Sequence, residues 1–414
     1  MSSIIKRIAA AALAAAMCLS FTSCAEKISA TELSGGYERG DVKLADVTPS
    51  PAAVDLALRL LSASAGDGGE SIVISPYSIL SALALTMNGA SGETLAEMES
   101  ALGFTLSELN GFLPSYTASL PSTDKEKLTS ANSIWMKDDK NFHVKESFLQ
   151  RNADLYCADI YSAPFNEGTR LDINNWISDR TDGMIKDMLD EIPPEAVMYL
   201  INAVLFDAEW SEPYMKELIR SGEFTNAAGK SETVDLMYDY GYGGFKMDGA
   251  VGFVRYYADY GYEFIAVLPD AGTTPEEYLR TLDGKALTDA LSGGHIGANT
   301  SMPKFSVETK TLLDPVLEGL GMKRAFDADL ADFSELGKYM EGNLYISRVL
   351  HQAKIDVDER GTKAGAATIV EIGATGGEPE ETIEVYLTRP FLFFIADTAT
   401  HMPIFCGIVN SVGG

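Results

Sequence analysis

The sequence predicts a mixed α+β fold, and three kinds of stretch carry that expectation. Met198–Phe206 and Glu263–Pro269 are almost continuously apolar, as central strands buried on both faces must be. Ala52–Ala63, with Val54, Leu58 and Leu61 at helical spacing, and Ser78–Gly89, rich in Ala and Leu, predict helices. The segment Asp358–Pro390 combines two opposed properties. From Thr362 its alternate residues Thr362, Ala364, Ala366, Thr368, Val370, Ile372 and Ala374 are small or β-branched, so an extended chain presents one uncharged face. Lys363, Gly365, Ala367, Ile369, Glu371, Gly373 and Thr375 suit the wet side of a one-sided sheet. Yet Gly373, Gly376, Gly377 and Pro379, followed by Glu380 and Glu381, spell an exposed loop open to proteolysis. One segment is thus expected to be both insertable and cleavable.

In chain order, residues 1–23 read as a leader: Lys6 and Arg7, then the apolar run Ile8–Leu19. That run is about a dozen residues, below the roughly 17 to 25 that cross a bilayer. Leu19-Ser20-Phe21-Thr22-Ser23-Cys24 resembles a bacterial lipobox, with Phe21 in place of the usual Leu, which implies acylation at Cys24. Ordinary signal cleavage is the alternative. The expected location is outside the cytoplasm, as a cell-surface lipoprotein held through Cys24 or as a secreted protein. Residues 24–51, polar and poor in large apolar side chains, read as a flexible tether, and 52–414 as the folded domain.

A chain of 414 residues, 46% hydrophobic, is long enough for one large domain or two ordinary ones. Its formal net charge of −28 argues against nucleic-acid binding and against electrostatic membrane attachment, which leaves the lipid anchor as the membrane contact. Only Cys157 and Cys406 lie in the body, so no disulfide framework is indicated, and the sequence leaves open whether the two meet.

Within the domain, Ser71–Ile74 predicts a short strand that ends at Ser75-Pro76, where Ser and Pro also start the following helix. Leu128–Met136 is strand-like, and Phe142–Phe165 supplies packing aromatics. Asn202 interrupts the apolar run 198–206, and a buried Asn needs hydrogen bonds. Thr274–Leu282 is helix-like. Leu344–Val357 leads into the insertable segment.

Several motifs converge on one family. They include the run Glu359-Arg360-Gly361-Thr362-Lys363-Ala364-Gly365-Ala366-Ala367-Thr368, the segment Ser75-Pro76-Tyr77-Ser78-Ile79, and Asn174-Asn175-Trp176 followed by Thr181, Gly183 and Ile185. To these add Asn202 with Trp210, Pro303-Lys304-Phe305, Leu320-Gly321-Met322, His351, Arg389-Pro390-Phe391 and Phe405-Cys406-Gly407. Together they resemble the serpins, the serine protease inhibitor superfamily, from about residue 52 to the end. Lys363 and Gly365 depart from the pattern, standing where the family usually has Glu and Ala.

The resemblance implies an α+β fold with three β-sheets, about nine helices and an exposed reactive-centre loop. It makes Glu359, Gly361, Thr362, Ala364, Gly365, Ala366, Ala367 and Thr368 the hinge, and Ser75, Ser78, Asn202, Trp210 and His351 shutter or breach residues. The family's spacing, counted from Glu359, implies a reactive bond at Thr375-Gly376, within a window from Ile372 to Glu378. The implied activity is suicide trapping of serine proteases by a monomer through a covalent acyl complex. Ala374 and Thr375 point to an elastase-like or subtilisin-like target. The alternatives are a non-inhibitory member acting as cleavable substrate, chaperone or carrier, and an inhibitor of cysteine proteases. A structural role holding the sheet is the simpler expectation for Asn202 and Trp210.

Enzyme signatures are missing. Gly89-Ala90-Ser91-Gly92 is not a nucleophile elbow, and no HExxH, paired CxxC, P-loop or dinucleotide fingerprint occurs. The acidic run Asp327–Asp332 has Ala331 at a calcium-ligand position and lacks the loop glycine, so it reads as a turn. No catalytic residue, cofactor or metal is expected.

Overall fold

The computed structural model describes residues 28–37, 47, 48, 50–66, 68–362 and 381–413. Cys24, the hinge residues Ala364, Gly365, Ala366, Ala367 and Thr368, and the expected reactive bond Thr375-Gly376 lie outside the described residues.

Among the described residues the chain forms nine α-helices and three β-sheets. One sheet has seven strands. From edge to edge they are β1 (Thr31–Glu32), β5 (Asp159–Ala163), β3 (Glu126–Lys137), β6 (Met198–Glu209), β15 (Gly361–Thr362), β14 (Leu350–Val357) and β12 (Phe305–Leu312). A nine-stranded sheet runs β16 (Thr382–Tyr386), β11 (Ile296–Pro303), β8 (Ser231–Met247), β9 (Ala250–Tyr256), β10 (Tyr262–Pro269), β17 (Phe391–Asp397), β18 (Pro403–Val409) and β2 (Ile72–Ile74), with β7 (Ile219–Thr225) paired to β8. β4 (Phe142–Val144) and β13 (Gly337–Tyr339) form a small ribbon.

The apolar runs become the interior. Every residue of β10, β17 and β18 is buried, as their lack of polar alternation requires. Phe264, Phe305, Phe391 and Phe393 join the two large sheets there; Phe264 and Phe393 stack with centroids 5.9 Å apart. Burial of each such ring stabilises the fold by about 1.5–3 kcal/mol. The helix Pro76–Met87 is buried over ten of its residues, which explains why it shows composition but little amphipathic stripe. Ser75 caps it, accepting from the Ser78 amide at 3.2 Å, with Pro76 in the first turn.

Two helices, Gly92–Leu102 and Leu106–Ser119, occupy a stretch without a landmark in the sequence; a capping box at Thr105 and Glu108 starts the second. The run Asp327–Asp332 is a turn, in which the Asp327 carboxylate accepts from the amides of Asp329 and Leu330. Cys157 and Cys406 form no disulfide among the described residues.

The tether differs from expectation. Residues 28–37, assigned from composition to the flexible segment 24–51, are docked on the seven-stranded sheet. β1 pairs with β5, Thr31 opposite Ser162, and the Leu33 amide donates to the Ile160 carbonyl at 2.7 Å. The Asp172 carboxylate accepts from the Ser29 amide, the Ser29 hydroxyl at 2.6 Å and the Ala30 amide at 2.9 Å. A polar segment can leave water when a sheet edge and a buried carboxylate satisfy its donors, and composition does not report either.

Candidate functional site at the head of the seven-stranded sheet

β6 and β14 flank the two-residue strand β15. Gly361 faces Glu209 and Thr362 faces Ala208 on one side, and Thr362 faces Val357 on the other. Beyond those two residues, β6 and β14 share no ladder among the described residues. Among the described residues the sheet is therefore closed at its head, and β6 and β14 have no shared partner strand further along.

A closed turn delivers the chain into this position. The Asp358 carboxylate accepts from the amides of Arg360 at 2.7 Å and Gly361 at 3.2 Å, while the Asp358 amide donates to the Gly361 carbonyl at 3.0 Å. Only glycine fits at 361, since a Cβ there would lie 2.0 Å from the Ala208 carbonyl oxygen. The segment Trp210–Tyr214 holds the turn from outside. Trp210 N–H donates to the Arg360 carbonyl at 2.7 Å, Tyr214 N–H to the Glu359 carbonyl at 2.9 Å, and Trp210 Nε1 to the Asp358 carbonyl at 2.9 Å. Lys304 Nζ stands 2.9 Å from the Glu359 carboxylate, and this contact lowers the Glu359 pKa against the opposing effect of burial.

Thr362 is fully buried, with its Oγ1 2.6 Å from Tyr257 OH. Tyr257 in turn stacks on Trp210, centroids 4.5 Å apart at 15°. Burial pushes the Tyr257 phenol far above its ordinary pKa, so it stays a neutral hydroxyl.

A cavity of about 480 Å³ opens where β6 and β14 are unpaired, walled by Tyr199 and Asn202 on one side and His351 and Gln352 on the other. Tyr199 OH, Asn202 Oδ1 and Gln352 Oε1 are buried without a hydrogen-bond partner among the described residues. Each such group costs about 1–3 kcal/mol until something pairs with it. Beside the cavity, Ser75 N–H donates to His351 Nε2 at 3.1 Å and Ser75 Oγ donates to the Ile404 carbonyl at 2.7 Å. Burial brings the His351 pKa down to about 4, so the ring is neutral and Nε2 is free to accept.

A sheet interrupted by the root of a long segment is the geometry that comparison with known proteins must match. The family model of the serpins, serine protease inhibitors, matches residues 51–412. The chain belongs to the serpin family. The thermophilic serpin tengpin in its native state superposes with a TM-score of 0.85 at 43% identity, covering 92% of this chain and 99% of that one. Tengpin in its latent state gives 0.78 at 39% identity, over 89% of this chain and 100% of that one. The leukocyte elastase inhibitor of Sus scrofa is 29% identical over 365 residues, 82% of this chain and 93% of that protein.

In this serpin the five candidate shutter and breach residues fall in two places. Ser78, Asn202 and His351 line the cavity, and Ser75 joins them through His351. Trp210 stands at the sheet head against the hinge turn. Asn202 meets its expected need only in part: Nδ2 donates to Ser130 Oγ at 3.1 Å and Asn132 Oδ1 at 3.0 Å, while Oδ1 has no partner among the described residues. Glu359, Gly361 and Thr362 sit together at the head. Sequence reasoning missed Tyr257, Tyr214 and Arg255, and it placed Lys304 in a motif without seeing its ion pair. Nothing local marks these residues, because their partners arrive from other elements: Thr362 lies 105 positions from Tyr257, and the Glu212 carbonyl 43 positions from Arg255.

Proposed function

We propose that this serpin inhibits serine proteases by suicide trapping, with Gly361–Thr362 as the seated start of a strand that lengthens after cleavage. The observation that carries this is the placement of β15 between β6 and β14, with Asn202 Oδ1 and Gln352 Oε1 unpartnered further along the same opening. A protease serine attacks the Thr375 carbonyl, the bond to Gly376 breaks, and the amine of Gly376 leaves with the proton relayed by the protease histidine. Thr375 is then esterified to the protease. Residues 363–375 extend β15 to a strand of 15 residues from Gly361, which at roughly 3.3 Å each gives about 50 Å, enough to carry the tethered protease from one end of the domain to the other. Displacement of the ester from the oxyanion hole stops deacylation.

Small residues at 374 and 375, and the absence of Lys and Arg between Lys363 and Arg389, favour an elastase-like or subtilisin-like target over a trypsin-like one. The test is incubation with pancreatic elastase, subtilisin and trypsin. An SDS-resistant complex is expected with elastase or subtilisin, and mass spectrometry should find a released peptide that begins at Gly376. Clean cleavage without complex by every protease would place the protein among substrate-type serpins. A different new N-terminus would move the reactive bond.

The same proposal holds the protein outside the cytoplasm on a diacyl anchor at Cys24, as a monomer. Incorporation of labelled palmitate, abolished by Cys24→Ser, is the expected result; equal labelling of both proteins would refute it.

A further inference from the structure

Arg255 is a buried cation that the hinge contacts do not use directly. Its side chain is 11% exposed in β9, between the buried Val254 and the half-buried Tyr256 of the same strand. The guanidinium lies 3.8 Å from the centroid of the Tyr214 ring and 5.5 Å from that of Trp210. It donates to the Glu212 carbonyl and pairs with the Asp239 carboxylate of β8. Its Nε has no hydrogen-bond partner among the described residues. Burial opposes the charge, yet Tyr214 and Asp239 raise its pKa overall, so the charge is kept.

Three of these contacts fall on one short segment: Trp210, Glu212 and Tyr214. That segment is also the one whose amides hold the Glu359 and Arg360 carbonyls and whose indole holds the Asp358 carbonyl. A single cation thus grips both rings and the central carbonyl of the platform on which the hinge turn rests. Burying a charge with an unpaired N–H is a poor way to stabilise a core; an apolar side chain of the same length would fill the space with no desolvation penalty. What the cation adds is direction, since an aromatic face, a carbonyl and a carboxylate each fix its orientation.

We propose that Arg255 is a positioning residue for loop insertion: by clamping Trp210 and Tyr214 it holds the turn Asp358–Gly361 so that β15 extends faster than the acyl-enzyme deacylates. This rests on the trapping mechanism proposed above. The clamp touches neither protease nor reactive bond, so its loss leaves the loop cleavable and shifts only the choice between trapping and release.

The decisive variant is Arg255→Met, which keeps length and loses charge. With the elastase that the wild type traps, the ratio of cleaved to complexed inhibitor should rise roughly tenfold, the size of a buried cation–π clamp. Cleavage kcat/KM should be unchanged. Arg255→Lys should restore part of the trapping, because an ammonium can sit on the rings but cannot span Asp239 and the Glu212 carbonyl together. An Arg255→Met protein that partitions as the wild type does overturns the proposal. If that variant does not fold, Tyr214→Leu removes the ring nearest the guanidinium and leaves the ion pair; an unchanged partition there overturns it equally. A second readout needs no protease: amide exchange at Trp210 and Tyr214 should quicken in either variant while the Asn202 and Leu205 amides keep their rates. Should the wild type trap nothing, the function reading fails by itself, and unchanged exchange at Trp210 and Tyr214 remains the result that would sink the clamp.

Discussion

Thr362 Oγ1 and Tyr257 OH lie 2.6 Å apart in a pocket from which water is excluded. The first side chain that a lengthening β15 would insert is therefore already in place, bound to a phenol that is itself fixed on Trp210. A site poised in this way is sensitive to charge at its first position.

Replacing Thr362 with Arg puts an unpaired cation where the structure has no exposed volume, at a cost of several kcal/mol by the usual scale for buried charge, roughly 3–5. Insertion should then fall behind deacylation. The expected outcome is a protein cleaved at the wild-type rate with no SDS-resistant complex; equal trapping by Thr362→Arg would show that β15 does not lead the insertion.

Cleavage of the loop should stabilise the protein. The inserted strand would supply backbone pairing to β6 and β14, partners for Asn202 Oδ1 and Gln352 Oε1, and burial of Val370 and Ile372, each worth about 1.5–3 kcal/mol. Calorimetry should give the nicked protein a higher midpoint than the intact one, as expected of a native state held by a barrier. A lower or equal midpoint contradicts stored strain.

His351 makes stability depend on pH in a stated direction. Burial depresses its pKa from 6.5 to about 4, so the unfolded chain binds a proton that the folded state refuses. Its contribution is complete above pH 6.5 and is lost as pH falls toward 4, amounting to about 3 kcal/mol at most. His351→Gln can still accept the Ser75 amide but does not titrate. Urea midpoints should therefore fall less for the variant than for the wild type between neutral pH and about pH 4.5; parallel decline in both would remove His351 as a cause. His401 opposes this trend: the Glu263 carboxylate, 2.6 Å away, raises its pKa, and that contribution is lost as pH rises.

Asp172→Ala removes three acceptor contacts to Ser29 and Ala30, about 1–3 kcal/mol of local stability. The Leu33 amide, bonded to Ile160, should exchange faster while the helix Glu167–Arg180 stays protected. No change at Leu33 would mean that β1 is held by its ladder alone.

Much of this serpin was legible as local pattern. The apolar runs 198–206 and 263–269 have the length and composition of strands in a covered sheet, Ser75-Pro76 suits a helix start, and the alternate residues Thr362, Ala364, Ala366 and Thr368 are small enough to enter a sheet. Family membership follows from such stretches because each is a constraint within a few consecutive residues. What the tertiary structure decided is which distant groups share a space. No local pattern in the sequence marks Arg255 or Tyr257; their meaning depends on Trp210, Tyr214 and Thr362 arriving from elsewhere in the chain. Residues 28–37 read as tether for the same reason, since Asp172 and the edge of β5 supply from outside the hydrogen bonds that the segment cannot make within itself. Periodicity records what a residue does for its own element, whereas the hinge is built from contacts between elements, and those exist only once the sheets have closed.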